Sequence, residues 1–216
     1  MKFYHGKNLK LINKKTIYID KNVVIGNNVV IYENTRIEGN TVIGDNCVIK
    51  PNCYINNCKI GNNVLIISSY LTDSYIGDMC EIGPFARLRP NTELKHKVKI
   101  GNFVEIKNSI INDGCKISHL AYVGDADLGE NCNIGCGVIF ANYNGKTKNR
   151  TRVGNNCFIG SNCNLIAPLN IDDDCYICAG TTVTDDIKKG GFVIGRSKQI
   201  VKEGRAYSYL KLSKGE

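Results

Sequence analysis

The sequence predicts an all-β fold, a parallel β-helix of hexapeptide repeats, on three observations. Aliphatic residues return every six positions, the corners between them are rich in Asn, Gly and Asp, and no run of apolar residues is long enough to cross a membrane as a helix. A period of six fits neither the 3.6 of an α-helix nor the alternation of a simple strand. It fits a solenoid in which each hexad forms one flat side of a coil and buries its anchor against the coils above and below.

Taken in order, residues 1–18 read as an irregular basic lead-in. Anchors then run from Ile19 through Ile25, Ile31, Ile37, Ile43 and Ile49 to Ile55, with turn-forming corners such as Gly26-Asn27-Asn28 between short strands. One residue is deleted between Ile55 and Ile60, and a small interruption follows Ile66. The period resumes over Ile76, Ile82, Leu88, Leu94, Ile100 and Ile106. Irregular steps connect Ile106, Ile111, Ile117, Val123 and Leu128. The largest break follows Phe140, where residues 141–152 hold no inward aliphatic and are expected to form a loop thrown out of the coil. Long loops on a rigid scaffold usually carry function. The period returns at Val153 and fades after Val183 into a basic tail, expected to cap the open sheet edge. The expected boundaries are a lead-in at 1–18, one β-helix domain at 19–196 and a tail at 197–216.

Composition narrows the function. The 216 residues carry a net charge of +8, but the lysines are dispersed except at the two ends. No basic stripe or basic-aromatic alternation suggests nucleic acid, and none is expected as a partner. The amino terminus lacks the apolar core of a signal peptide, so a cytoplasmic protein without membrane insertion is expected. Of eleven cysteines, Cys47, Cys53, Cys80, Cys115, Cys132, Cys157, Cys163 and Cys175 each stand four residues after an anchor. That slot points inward at a tight corner and suits a small buried hydrophobe. No Cys-x-x-Cys zinc pair is expected, and the thiols fit a reducing compartment.

Chemistry is sought where the period breaks. His5 lies in the lead-in and His96 at a polar corner, too far apart along the rod for the three histidines to share zinc. His119 lies in the irregular zone, where a neutral imidazole suits removal of a proton from an amine. Arg87 and Arg89 in GPFARLRP, Lys107 in GNFVEIK and Lys148 in the loop supply charge for a phosphate.

The strings GPFARLRP, GNFVEIKNS, SHLAYVGDADLGENCNIGCGVIFANYNG and AGTTVTDDI resemble the acetyltransferase half of the bifunctional N-acetylglucosamine-1-phosphate uridyltransferase/glucosamine-1-phosphate acetyltransferase family. The resemblance runs from about residue 20 to 204 and is strongest over 82–196. It implies a left-handed parallel β-helix of three short sheets that assembles as a homotrimer, with active sites where subunits meet. It implies transfer of acetyl from acetyl-CoA to the 2-amino group of glucosamine 1-phosphate, feeding UDP-N-acetylglucosamine and the bacterial cell wall. No metal is required for that chemistry.

Carried over by position, His119 corresponds to the general base and Glu105 to an acid that orients it. Arg89, Lys107, Tyr122, Asn133 and Lys148 correspond to sugar-phosphate contacts. Cys136, Asn142, Tyr143, Ser161, Ala179 and Arg196 correspond to acetyl-CoA contacts, with Cys136 standing where the family usually has alanine. Nothing like the family's nucleotidyltransferase domain precedes residue 20. Uridyltransferase activity is therefore not expected of this stretch of chain, which either stands alone and works with a separate uridyltransferase as partner or is a piece of a longer protein. Two rival readings share the fold: acetylation of another amino sugar or a nucleotide sugar, and a non-catalytic solenoid assembly subunit.

Overall fold

In the computed structural model, described here over residues 6–210, the chain winds as a left-handed parallel β-helix. Each coil contributes one strand to each of three sheets. Sheet I has eleven strands, from Lys10–Leu11 to Phe192–Val193. Sheet II has ten, from Tyr18–Ile19 to Thr182–Val183, and sheet III has nine, from Val24–Ile25 to Leu169–Ile171. The anchors stack in register, as Ile31, Ile49, Ile66 and Ile82 do in sheet I. Each fully buried aliphatic side chain contributes about 1.5–3 kcal/mol relative to an exposed one. The core is therefore a continuous axial ladder rather than a single centre.

The corners explain the composition. Asn28, Asn46, Asn63 and Asn131 sit at φ of 56–58°, a left-handed conformation that asparagine tolerates and bulky residues do not. The expected cysteine slot is inward, and its thiols also donate to corner carbonyls of the next coil: Cys80 Sγ to Lys95 O at 3.0 Å and Cys115 Sγ to Gly129 O at 2.9 Å. Burial pushes the thiols of Cys47, Cys53 and Cys80 up to about 11. One Cys-x-x-Cys spacing does occur, at Cys175 and Cys178, contrary to expectation; both side chains are buried.

The first strands lie earlier than the six-residue anchors suggest. The solenoid starts inside the expected lead-in, because Lys10–Leu11 pairs with Val30–Ile31 and Tyr18–Ile19 pairs with Arg36–Ile37. A 3-10 turn at Lys14–Thr16 lengthens the step between Leu11 and Ile19 and hides the period. Of the tail, expected to cap the rod, residues up to 210 are described. Residues 194–210 are exposed, and they include a short helix at Arg205–Leu210. His5 and residues 211–216 lie outside the described residues. Among the described residues no helix is long and apolar enough to cross a membrane.

The extruded loop is present. Sheet partners are 18 positions apart in the early coils, as in Arg36 and Tyr54, but 25 apart across the loop, as in Ala126 and Thr151. An antiparallel bridge between Tyr143 and Lys148 folds the excursion back on itself.

Candidate functional site

Sheet II collects most of the charged candidates on its outer face. Side chains alternate across a strand, so Arg87, Glu105 and Tyr122, one residue before their buried anchors, point outward in register. Arg89 Nη1 lies 2.8 Å from Glu105 Oε1, and Arg87 Nη1 lies 3.9 Å from Glu105 Oε2. Glu105 is thus held between two guanidiniums. Within one protomer it does not meet the imidazole it was expected to orient: His119 Nδ1 is instead 2.7 Å from Asn102 Oδ1. The cause is register, because Asn102 is the residue directly opposite His119 in sheet I.

The loop brings the third cation. Lys148 returns to lie beside Lys107, and this neighbouring ammonium holds the Lys107 pKa below the usual lysine value, with Arg89 adding to the effect. Two anchors fix the loop. At one end Asn142 Nδ2 donates to Asp125 Oδ2, and Asn108 Nδ2 donates to Asp125 Oδ1 at 2.5 Å. At the other end Arg150 Nε donates to Asp127 Oδ2 at 2.7 Å, and Arg150 Nη1 reaches Asn108 O at 3.1 Å. Burial works to raise the Asp125 pKa. The two amide donors and the charges of Lys107 and Lys148 outweigh it and hold the carboxyl below its usual range.

The resemblance makes Asn142 an acetyl-CoA contact. It is 7 % exposed, and its amide is spent on Asp125. Tyr143 does project, with its hydroxyl donating to Gly145 O at 2.7 Å. Tyr122 lies flat along sheet II, where a Cβ on Gly124 would come within 2.5 Å of its hydroxyl. Asn133 is on a different face. It stands on the outside of sheet I between Lys116 and Phe158, so one protomer does not bring it to the cation cluster.

The corner leaving sheet I carries a second alignment. His119, Cys136, Ser161 and Ala179 each stand two residues after an anchor, and those anchors, Ile117, Ile134, Ile159 and Ile177, are in direct register. At the spacing of neighbouring strands the four span roughly 14 Å along the rod. The side chain of Arg196 continues the line past Gly180, whose Cβ would lie 3.5 Å from Arg196 Cδ. Cys136 is the one cysteine that is not buried.

Beside this alignment runs a ridge that the sequence reading missed. Phe85, Phe103 and Leu120 occupy the left-handed region at φ of 58°, 57° and 46°, all with exposed side chains. The two phenyl rings stack at 5.6 Å. Large side chains in that conformation are strained, and such strain gathers at functional sites. The signal was present as a large apolar residue in a corner slot that elsewhere holds asparagine, glycine or serine. Among the described residues no group of three or more His, Cys, Asp or Glu could hold a metal ion.

Comparison with known proteins gives the family. The model described as the GMPPB C-terminal domain matches residues 19–92 and 70–144, more than half of the chain. A hexapeptide repeat of succinyl-transferase matches residues 150–185. "Bifunctional protein GlmU" of Clostridium kluyveri is 48% identical over 144 residues, covering 67% of this chain and 32% of that one. The protein of that name in Clostridioides difficile is 51% identical over 139 residues, covering 64% and 30%. The chain thus spans about a third of the length of these relatives. Among solved structures, LpxA, a UDP-N-acetylglucosamine acyltransferase from Bacteroides fragilis, superposes with a TM-score of 0.51 at 21% identity, covering 72% of this chain and 67% of that one. That likeness is one of fold. With its repeat, its three sheets and these sequence matches, the chain belongs to the β-helical family described as the GMPPB C-terminal domain and is a GlmU acetyltransferase-like domain.

Proposed function

We propose that the chain transfers acetyl from acetyl-CoA to the 2-amino group of glucosamine 1-phosphate, giving N-acetylglucosamine 1-phosphate. The observation that carries this reading is the meeting of Arg89, Lys107 and Lys148 at the base of the extruded loop. A dianionic phosphate is what such a cluster of cations would serve, and the Lys107–Lys148 repulsion is relieved when it binds. Sequence identity to relatives named GlmU supports the acyl-transfer class.

In this mechanism the substrate reacts as its free amine, having released its ammonium proton to solvent, and His119 takes one further proton from the nitrogen as it attacks the thioester carbonyl. A C–N bond forms, the C–S bond breaks, and the proton passes from the imidazole to the departing CoA sulfur. Main-chain amides at the corner hold the oxygen as it becomes anionic. The alignment of Cys136, Ser161, Ala179 and Arg196 offers the pantetheine arm a straight path along the corner, with Arg196 placed for a CoA phosphate. Asn133 faces away from the cation cluster of its own chain. Its proposed sugar contact therefore requires a second copy, with sheet I of one protomer set against sheet II of the next in a trimer.

The test is direct. Purified protein, acetyl-CoA and glucosamine 1-phosphate are mixed, and the sugar is read by mass spectrometry, because eleven cysteines would confound a thiol-reactive dye. Wild type is expected to yield acetylated sugar, and His119→Ala to lose roughly 10²–10⁴-fold in turnover. Unimpaired turnover in His119→Ala, or a fully active monomer by sedimentation, would overturn the reading.

A further inference from the structure

We infer that Asn102 is a positioning residue for His119: its side-chain oxygen holds the imidazole proton on Nδ1 and so leaves Nε2 as the basic nitrogen. The geometry is independent of the proposed acetyl transfer, while its consequence for rate rests on that reading. The carboxylate expected for this task is Glu105, which is occupied by Arg89 and Arg87. The group that touches the ring is an amide, with Asn102 Oδ1 at 2.7 Å from His119 Nδ1.

The local backbone is built for this contact. Nine strands of sheet I are two residues long, whereas Lys99–Asn102 and Lys116–His119 each have four. The pairing is extended in one place, as far as the Asn102–His119 register pair. Gly101 permits the close approach, since a Cβ there would lie 2.0 Å from Ser118 O. Leu120 N then donates to Asn102 O at 3.0 Å and closes the corner over the pair. Both side chains are therefore held at the same level of adjoining strands.

An amide oxygen only accepts, so the ring nitrogen facing it carries the hydrogen. In water the neutral imidazole favours the opposite tautomer, with its proton on Nε2. That form would turn the lone pair towards the sheet and leave the outward nitrogen unable to accept a proton. Asn102 reverses the preference without setting a negative charge against the ring. The charged residues on the packed strands are Lys99 on one side and Lys116 on the strand of His119 itself, while the following strand carries Asn133.

The experiment has two arms. Long-range ¹H–¹⁵N correlation spectra of the whole chain, recorded above the imidazole titration, identify the tautomer; the His119 signals are those lost in His119→Gln. The expected result is a protonated Nδ1 and a bare Nε2 in wild type, moving towards protonated Nε2 in Asn102→Ala. A wild-type ring protonated on Nε2, or an Asn102→Ala spectrum identical to wild type, overturns the inference. This arm needs no substrate, so it stands or falls apart from the acceptor assignment. In the kinetic arm Asn102→Ala is expected to lower kcat roughly tenfold, short of the loss of the base itself, with KM little changed. Asn102→Asp keeps the acceptor, restores most of the rate and moves the acidic limb of the pH profile upward, because a carboxylate favours the imidazolium. Wild-type kcat in Asn102→Ala, or no rescue by Asn102→Asp, overturns it. If wild type is inert towards glucosamine 1-phosphate, the acceptor falls and the spectra alone decide the role of Asn102.

Discussion

In the amino-terminal coils the corner leaving sheet I is turned by Asn34 and Asn52; farther along the rod the same corner is turned by Phe85, Phe103 and Leu120. The backbone is alike in both regions, with parallel strands and buried anchors in register. The occupants are not alike. Asparagine enters the left-handed region readily, whereas an ordinary bulky residue costs about 1–2 kcal/mol there. The strained version lies beside Asn102 and His119, and one strand farther on lie Arg89, Glu105 and Lys107. A uniform scaffold thus carries two kinds of surface, and the strained one borders the candidate site.

If the scaffold is uniform, its core should respond alike at both ends. Ile37→Ala and Ile106→Ala, both fully buried in sheet II, should each lose about 2–5 kcal/mol in urea denaturation. A severe loss at one and none at the other would break the comparison.

The outer face should respond only in the site region. Lys148→Ala is expected to weaken sugar-phosphate binding by about 1.5–3 kcal/mol, read as a raised KM, if it holds a phosphate. The empty protein should move the other way. Lys148 depresses the Lys107 pKa, so between that lowered value and the ordinary lysine value the unfolded chain binds the proton more readily. The repulsion therefore opposes folding at neutral pH and fades as pH rises through that window. Lys148→Ala should leave thermal stability equal or higher at neutral pH and flatten its rise at alkaline pH. A variant that loses both binding and stability would mark Lys148 as structural.

The smallest effect concerns the corner itself. Leu120→Asn gives the strained position the residue that Asn34 and Asn52 supply at the same corner, at a side chain already 57% exposed. It should stabilise the fold by about 1 kcal/mol in the same urea assay. Destabilisation would show that the ridge contributes packing rather than strain.

Much of the rod was legible because burial repeats: every sixth residue faces the axis, so Ile, Leu and the cysteine slots announce themselves. The loop after Phe140 was legible as a missing anchor. The start of the solenoid was not, since the turn at Lys14–Thr16 puts Leu11 and Ile19 out of step. Within the site, Arg89, Lys107 and Lys148 could be nominated as cations, but their meeting depends on where a loop closes. Within one protomer Glu105 meets Arg89 rather than His119, and the Asn142 side chain meets Asp125. Neither contact was legible, for one reason: contacts between coils join residues some 17 positions apart, and a one-residue shift in register changes every partner.

By itself the sequence determined the periodic core, the parallel coil and the residue types available for acid–base and phosphate chemistry, because apolar burial acts through a regular spacing that the chain displays directly. Only the tertiary structure decided that Asn102, not Glu105, meets His119, that Lys148 comes back to Lys107, and that Asn133 looks out from another face. Those outcomes depend on the summed lengths of whole coils and on the hydrogen-bond register between them, which no local pattern encodes.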